Sequence, residues 1–159
     1  GYADHVKILE KLTSIGIPLQ LLVVCGNNKK MQLRVEQFAS RYEGDCVVKP
    51  YGFVHNVEVM MSASDCIVSK PGGLTVSEAL AKNLPMLLVD PIPGHEERNV
   101  EFLVNNGMAA LITKHFPIDE AVYELFRNPV RLQTVRQTMQ AIAHPDATER
   151  LAEFVLHSK

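Results

Sequence analysis

The chain has 159 residues, of which 47% are hydrophobic and 21% are charged, and its formal net charge is −2. This balance is typical of one folded domain with a real core, and it excludes a disordered segment. Lysine and arginine are scattered along the chain instead of forming a basic stripe, which argues against nucleic-acid binding. The opening residues lack the pattern of a signal peptide, and no apolar run approaches the roughly 20 residues that span a bilayer.

Hydrophobic periodicity predicts an α/β fold. Short apolar runs, several of them apolar on both faces, predict strands at 19–25, 46–51, 65–69, 86–90 and 109–113. Amphipathic stretches between them predict helices at 28–42, 56–63, 74–83 and 95–106, and Asn106-Gly107 suits a left-handed cap on the last of these. Strands that alternate with helices indicate a doubly wound parallel sheet of the Rossmann-like type.

The two ends of the chain depart from this alternation. After residue 113 the pattern is all helical, with helices predicted at 117–126, 130–143 and 146–157. At the other end a helix is predicted at 3–15, although a doubly wound sheet normally opens with a strand. We therefore expect residues 1–159 to form one domain of a larger protein, and that domain to lack its first strand.

Three cysteines, Cys25, Cys46 and Cys66, lie in or beside apolar stretches. They are too few and too widely spaced for a disulfide framework or a zinc site. We therefore predict buried, reduced thiols and a cytoplasmic location. The six histidines are dispersed as well, and none stands at metal-ligand spacing from acids or cysteines.

Four loops follow predicted strands and carry residues suited to a nucleotide sugar, at 26–28, 52–54, 70–75 and 91–96. In an open parallel sheet, ligands bind outside the carboxyl ends of the strands. The recurrence of such loops after successive strands predicts a ligand-binding cleft at that edge.

The loop at 70–75 carries the strongest signal, because Gly72 and Gly73 follow Pro71 directly before a predicted helix. Two glycines let the backbone approach a ligand closely, and the first amides of the helix point towards it. A helix N-terminus carries about half a positive charge, so it favours a diphosphate without a metal ion. Thr75 adds a hydroxyl donor and Lys70 a positive charge.

Glu78 lies one helical turn after Thr75 on the same face, where its carboxylate suits the two hydroxyls of a ribose. Thr75-x-x-Glu78 also has the pattern of a capping box, which would satisfy the helix's own amides without a ligand. The adjacent glycines favour the ligand interpretation.

Each of the remaining loops has one interpretation as part of a ligand site and one as a purely structural feature. His95, Glu96 and Asn99 are of types that recognise sugar hydroxyls, although Glu96 and Glu97 would also complement a helix dipole. Phe53, in the 52–54 loop, would either stack on a uracil or belong to the core. The 26–28 loop would either border the phosphates or form a turn in which Asn28 caps the next helix.

Several motifs of other enzyme classes are absent from the sequence. It contains no Asp-x-Asp, which gives no support to metal-bridged diphosphate binding. It contains no Gly-x-Gly-x-x-Gly after a strand and no Gly-x-Ser-x-Gly, which argues against dinucleotide binding and against a serine hydrolase.

Taken in order and spacing, the loop motifs resemble those of one family, the monogalactosyldiacylglycerol synthases and bacterial processive diacylglycerol glucosyltransferases. These enzymes are related to the lipid-linked N-acetylglucosamine transferase of peptidoglycan synthesis. The resemblance covers essentially the whole chain but only the carboxyl-terminal domain of the enzymes. The motifs are Cys25-Gly26-Asn27-Asn28, Gly52-Phe53-Val54, Lys70-Pro71-Gly72-Gly73-x-Thr75-x-x-Glu78-Ala79 and Pro93-Gly94-His95-Glu96.

The resemblance implies a metal-independent, inverting glycosyltransferase with two Rossmann domains and no cofactor, in which a UDP-sugar is the substrate. By this resemblance the glycine pair and Thr75 bind the diphosphate, Glu78 the ribose, the 52–54 loop the uracil, and His95 with Glu96 the hexose. His95 stands where the family usually has Gln, which leaves open the choice between glucose and galactose. The predicted donor-binding residues are Gly52, Phe53, Val54, Lys70, Pro71, Gly72, Gly73, Leu74, Thr75, Glu78, Gly94, His95, Glu96 and Asn99.

The resemblance places the general base, the lipid acceptor site and the membrane-docking surface on an amino-terminal domain outside this chain. No catalytic residue is therefore predicted within it, and the full-length enzyme is expected to be peripheral on the cytoplasmic face of the membrane. The alternatives are a lipid-linked UDP-N-acetylglucosamine transferase, half of a UDP-N-acetylglucosamine 2-epimerase, a non-catalytic sugar-nucleotide sensor and, least favoured, a dinucleotide-binding domain.

Overall fold

A computed structural model describes residues 4–142 of the chain. The chain divides into two compact units, Gly1–Met60 and Met61–Lys159. The helix predicted at 146–157 lies outside the described residues.

The first unit pairs two parallel strands and carries two helices. In chain order its elements are α1 (His5–Leu12), β1 (Gln20–Val24), α2 (Lys29–Arg41) and β2 (Val47–Tyr51). The strands pair in register from Gln20 opposite Val47 to Val24 opposite Tyr51. Leu9, Cys25 and Val35 form the buried centre of this unit.

Side chains cap both helices of the first unit. The Asn28 side chain accepts a hydrogen bond from the Met31 amide at 3.0 Å, so the capping interpretation of Asn28 is correct. Asp4 accepts from the Val6 amide at 3.1 Å and pairs with Arg34 at 3.1 Å. The hydrogen bond from Arg34 holds the pKa of the Asp4 carboxyl below its usual value.

The short helix α3 (Val57–Ser62) leads to the second unit, whose sheet has three parallel strands. Its elements are β3 (Ile67–Ser69), α4 (Gly73–Ala81), β4 (Met86–Leu88), α5 (Glu97–Asn105), β5 (Ala109–Leu111), α6 (Ile118–Phe126) and α7 (Pro129–Ile142). The central strand, β4, is buried along its whole length, as expected of a parallel strand covered on both faces.

The α/β class with parallel strands, followed by two helices within 118–142, is confirmed, and each strand predicted from the sequence is present. Strand pairing was expected in one sheet, whereas the described strands pair as β1–β2 and as β3–β4–β5. The strands of the second unit are shorter than predicted, and β4 ends before Asp90, whose φ of 43° lies outside the extended region.

The cap predicted at the end of α5 is confirmed. Gly107 has a φ of 70°, and its amide donates to the Val104 carbonyl at 3.0 Å. The Met108 amide donates to the Leu103 carbonyl at 2.9 Å, which completes a Schellman motif.

The cysteines are unpaired thiols, with Cys25 and Cys46 buried and Cys66 half-buried. Burial raises the pKa of the Cys66 thiol to about 12, so this thiol is protonated at neutral pH.

Candidate functional site

Helix α4 begins without a side-chain cap. Its N-cap residue is Gly72, which is extended at φ −67° and ψ 142°, and its first intrahelical hydrogen bond runs from the Val76 amide to the Gly72 carbonyl at 2.9 Å. Within the described residues, no acceptor meets the amides of Gly73, Leu74 and Thr75. Three adjacent backbone donors are therefore available to an anion at this helix end.

The capping-box interpretation of Thr75 and Glu78 is wrong. A capping box requires the threonine at the N-cap, but Gly72 takes that position and Thr75 is the third residue of the helix. The polar side chains at 75 and 78 therefore leave the helix amides unoccupied.

Thr75 and Glu78 are both half-buried, and neither side chain has a partner among residues 4–142. Ser77 differs, because its hydroxyl donates to the Gly73 carbonyl at 2.9 Å. Leu74 is 76% exposed, so its side chain adds an apolar surface beside the free amides. Lys70 is half-buried in the connection between β3 and α4.

An uncapped start does not by itself distinguish α4, because α5 and α6 also lack a side-chain cap. The residue at the N-cap does distinguish it. A Cβ added to Gly72 would meet only a Glu96 carboxylate oxygen at 3.7 Å, which is ordinary van der Waals contact, and the φ of Gly72 suits any residue. The fold therefore does not require glycine at this position, whereas a ligand that approaches the backbone would.

The 91–96 loop forms a turn that its own groups hold together. The Ile92 amide donates to the Glu96 carboxylate at 2.8 Å, and the Glu96 amide donates to the Ile92 carbonyl at 3.0 Å. Gly94 has a φ of 80°, a left-handed conformation that favours glycine. Helix α5 begins at Glu97, so the exposed His95 lies in the turn before it and not in the predicted helix.

Asn99 connects this loop region to the glycine pair. Its side chain is 9% exposed, and its Nδ2 donates to the Pro71 carbonyl at 2.8 Å. Sequence reasoning missed this contact and assigned Asn99 to sugar hydroxyls. The signal in the sequence that Asn99 is buried was its position one turn before the core residue Leu103, on the same face of α5.

The other predicted residues lie in the first unit. Phe53 is 59% exposed and packs edge to face on His55, with ring centroids 4.9 Å apart, so the core interpretation of Phe53 is wrong. Val54 is half-buried, and a Cβ on Gly52 would meet the end of the Gln32 side chain at 2.9 Å. The assignment of the 52–54 loop to a base stays a prediction.

Neither a metal cluster nor a membrane span was found in the part of the chain that the structure describes. No group of three or more His, Cys, Asp or Glu residues within 4–142 could hold a metal ion. No helix in the same range is long and apolar enough to cross a membrane.

The chain has a Rossmann-like α/β fold with parallel strands. The structure is similar to MurG from Acinetobacter baumannii, with a TM-score of 0.73 and 19% identity over 94% of this chain and 46% of that one. The glycosyltransferase VinC, solved in complex with DTDP, gives a TM-score of 0.50 and 16% identity over 90% of this chain and 42% of that one.

The family follows from a sequence comparison. The family model of the glycosyltransferase family 28 C-terminal domain matches residues 5–151, and the chain belongs to this family. A processive diacylglycerol beta-glucosyltransferase of Bacillus pumilus (strain SAFR-032) is 28% identical over 156 residues, which are 98% of this chain and 40% of that protein. These findings confirm the family that the sequence motifs indicated.

The site geometry predicts different effects of alanine at two glycines. Gly72→Ala should change the free energy of unfolding by less than about 1 kcal/mol, because the native backbone accepts a Cβ, and the entropy lost by the unfolded chain offsets the preference of an N-cap for glycine over alanine. Gly94→Ala should lower it by about 1–2 kcal/mol, because alanine is strained at a φ of 80°. Urea unfolding followed by circular dichroism measures both. A clear loss of stability in Gly72→Ala would show that the fold itself needs this glycine.

Proposed function

We propose that this chain binds the donor of an inverting, metal-independent hexosyltransferase, which moves a hexose from UDP-glucose or UDP-galactose to a diacylglycerol-type lipid. Support for the acceptor class comes from the Bacillus pumilus relative, whose name includes diacylglycerol and with which 98% of this chain aligns. Support for the nucleotide comes from the site at the start of α4.

The proposal rests on the first turn of α4, where three amides have no acceptor and the N-cap is a glycine that the fold does not require. The amides of Gly73, Leu74 and Thr75 would donate to the diphosphate, and the absent side chain at Gly72 would give the phosphates room. A diphosphate bound in this way needs no metal ion, because the helix end supplies the compensating partial charge.

The half-buried Glu78 completes this assignment. It lies one turn beyond Thr75 on the same helix face, and its carboxylate has no partner within residues 4–142. A carboxylate in this position can accept hydrogen bonds from both hydroxyls of a ribose. We assign Glu78 to the ribose and Thr75 to the phosphate nearest the helix.

The same helix end would assist the chemistry. A lipid hydroxyl attacks the anomeric carbon, the bond from that carbon to the UDP oxygen breaks, and the configuration inverts. Negative charge then develops on the departing UDP, where the fixed amides of α4 stabilise it. A metal ion plays this role in other transferases.

The reaction also needs a general base to take the proton of the lipid hydroxyl. The chain spans about 40% of the length of the curated relatives it matches. We assign the base, the acceptor site and the membrane contact to an amino-terminal domain, which would hold the enzyme on the cytoplasmic face. The donor sugar is assigned to Gly94, His95 and Glu96 in the turn before α5.

This division of roles predicts that the 159-residue chain binds a donor but transfers no sugar. The measurement is release of UDP from UDP-glucose in the presence of diacylglycerol vesicles, compared with a sample without protein. Turnover above the background would place the catalytic base within this chain and contradict the assignment.

Ligand-dependent thermal unfolding tests the nucleotide class. UDP, UDP-glucose and UDP-galactose should each raise the melting temperature, because a ligand at 100 times its Kd stabilises the fold by about 2.7 kcal/mol. The shift should survive EDTA, since no metal is required. UDP-N-acetylglucosamine in the same panel tests the related transferase and epimerase, and NAD tests the dinucleotide class. A response to NAD alone would overturn the proposal.

The Glu78→Ala variant tests the ribose assignment. We expect the stability without ligand to change little and the affinity for UDP to fall at least about tenfold, because a charge-assisted pair of hydrogen bonds is lost. Isothermal titration measures the affinity, and Glu101→Ala, which removes an exposed carboxylate of α5, is the matched control. A loss of about 1 kcal/mol of stability with unchanged UDP affinity would assign Glu78 a structural role instead.

A further inference from the structure

Among the described residues, Asn99 is the one polar residue that is buried. Its side-chain nitrogen donates to the Pro71 carbonyl at 2.8 Å, across 28 residues of sequence. Burying an amide costs free energy unless the amide is hydrogen-bonded, and this bond satisfies one N–H of Asn99 and the Pro71 carbonyl together.

The position of the bond is informative, because Pro71 immediately precedes Gly72, the N-cap of α4. The peptide group is planar, so the Pro71 carbonyl and the Gly72 amide turn as one rigid unit. Fixing the carbonyl therefore fixes the direction in which the chain enters the first turn of α4. The Pro71 side chain is fully buried, which holds the same unit from its other side.

Such an anchor has a physical reason here. Two successive glycines give the backbone more conformational freedom than any other pair of residues. Backbone amides that are mobile must be ordered when a ligand binds, and the entropic cost of ordering them lowers the affinity. The hydrogen bond from Asn99 removes this freedom at the residue before the glycine pair.

A second contact comes from the residue one turn earlier. Glu96 lies at the N-cap of α5, and one of its carboxylate oxygens lies 3.7 Å from the position that a Cβ on Gly72 would occupy. Its other oxygen accepts from the Ile92 amide at 2.8 Å. The start of α5 therefore lies against Pro71 and Gly72 through two side chains, and it also ends the 91–96 turn.

We propose that Asn99 is a positioning residue for the diphosphate. It holds the Pro71 peptide so that the amides of Gly73, Leu74 and Thr75 keep the direction they need before the ligand arrives. It acts through Pro71, whose carbonyl accepts from one N–H of the Asn99 amide, and we assign it no contact with the hexose. The inference rests on the proposed binding of a nucleoside diphosphate by α4.

The test compares three ligands, because the three possible roles of Asn99 affect them differently. The ligands are UDP, UDP-glucose and uridine, which has no phosphate. The variants are Asn99→Asp, which keeps the shape, loses the donor and adds a negative charge, and Asn99→Leu, which loses the donor without adding a charge. Asn106→Leu is the matched control, because its Nδ2 also donates to a backbone carbonyl of α5, that of Phe102 at 2.7 Å.

For Asn99→Asp at pH 8 we expect the Kd for UDP and for UDP-glucose to rise about tenfold. The Kd for uridine should change less than twofold, and Asn106→Leu should leave all three constants unchanged. Affinities are measured by calorimetry and ligand-detected NMR, well below the melting temperature of each variant. For Asn99→Leu we expect the same pattern, which would show that loss of the donor and not the added charge lowers the affinity; if this variant does not fold, Asn99→Ala replaces it.

A pH series adds a readout that a purely structural role would not change. Protonation of the introduced carboxyl restores a donor towards the Pro71 carbonyl. The ratio of the variant's UDP Kd to the wild-type value should therefore shrink as the pH falls from 8 to 5. Taking the ratio at each pH removes the titration of UDP itself.

Three results would overturn the inference. An equal loss for UDP and uridine, or no loss for either, would make Asn99 a structural residue. A loss confined to UDP-glucose would mean that Asn99 contacts the sugar directly. Failure of the wild-type protein to bind UDP would reject the proposed function itself, and this result is distinguishable because it precedes any substitution.

Discussion

The free amides at the start of α4 are useful only if the helix that carries them is held in place. Helix α4 buries Val76, Ala79 and Leu80 in the core of the second unit, where Ala79 is fully buried. This cluster also contains Leu103 from α5 and Met108 from the turn before β5. Burial of large apolar side chains stabilises a fold by about 1.5–3 kcal/mol each, so packing fixes the axis along which the helix dipole acts.

Helix packing fixes the axis, but the last residues before α4 need a separate constraint. The connection from β3 has only residues 70–72, and it leads directly into Gly73. Buried Pro71 and its hydrogen bond to Asn99 supply that constraint. The open donors carry little folding penalty, because water can satisfy backbone amides at a partly exposed helix end until a ligand replaces it. A preorganised site is therefore compatible with a stable fold.

The comparison of helix starts shows why side chains alone do not define such a site. Helices α1 and α2 are capped by Asp4 and Asn28, each of which accepts from one amide of the first turn. Helices α5 and α6 lack a side-chain cap, yet neither has a glycine at its N-cap. Of these five helices, α4 is the one whose start combines free amides with an N-cap glycine that the fold does not need. These two properties together distinguish the start of α4 from the other four helix starts.

The amino-acid sequence by itself determined the α/β class, the order of the strands and helices, and the glycine pair, because periodicity and backbone freedom are properties of neighbouring residues. It left open whether Thr75 or Gly72 is the N-cap of α4, and whether Phe53 is buried, since local pattern allows both answers. Only the tertiary structure decided these points and joined Asn99 to Pro71. That contact spans 28 residues, and it depends on how α5 packs beside the start of α4, which no local pattern encodes.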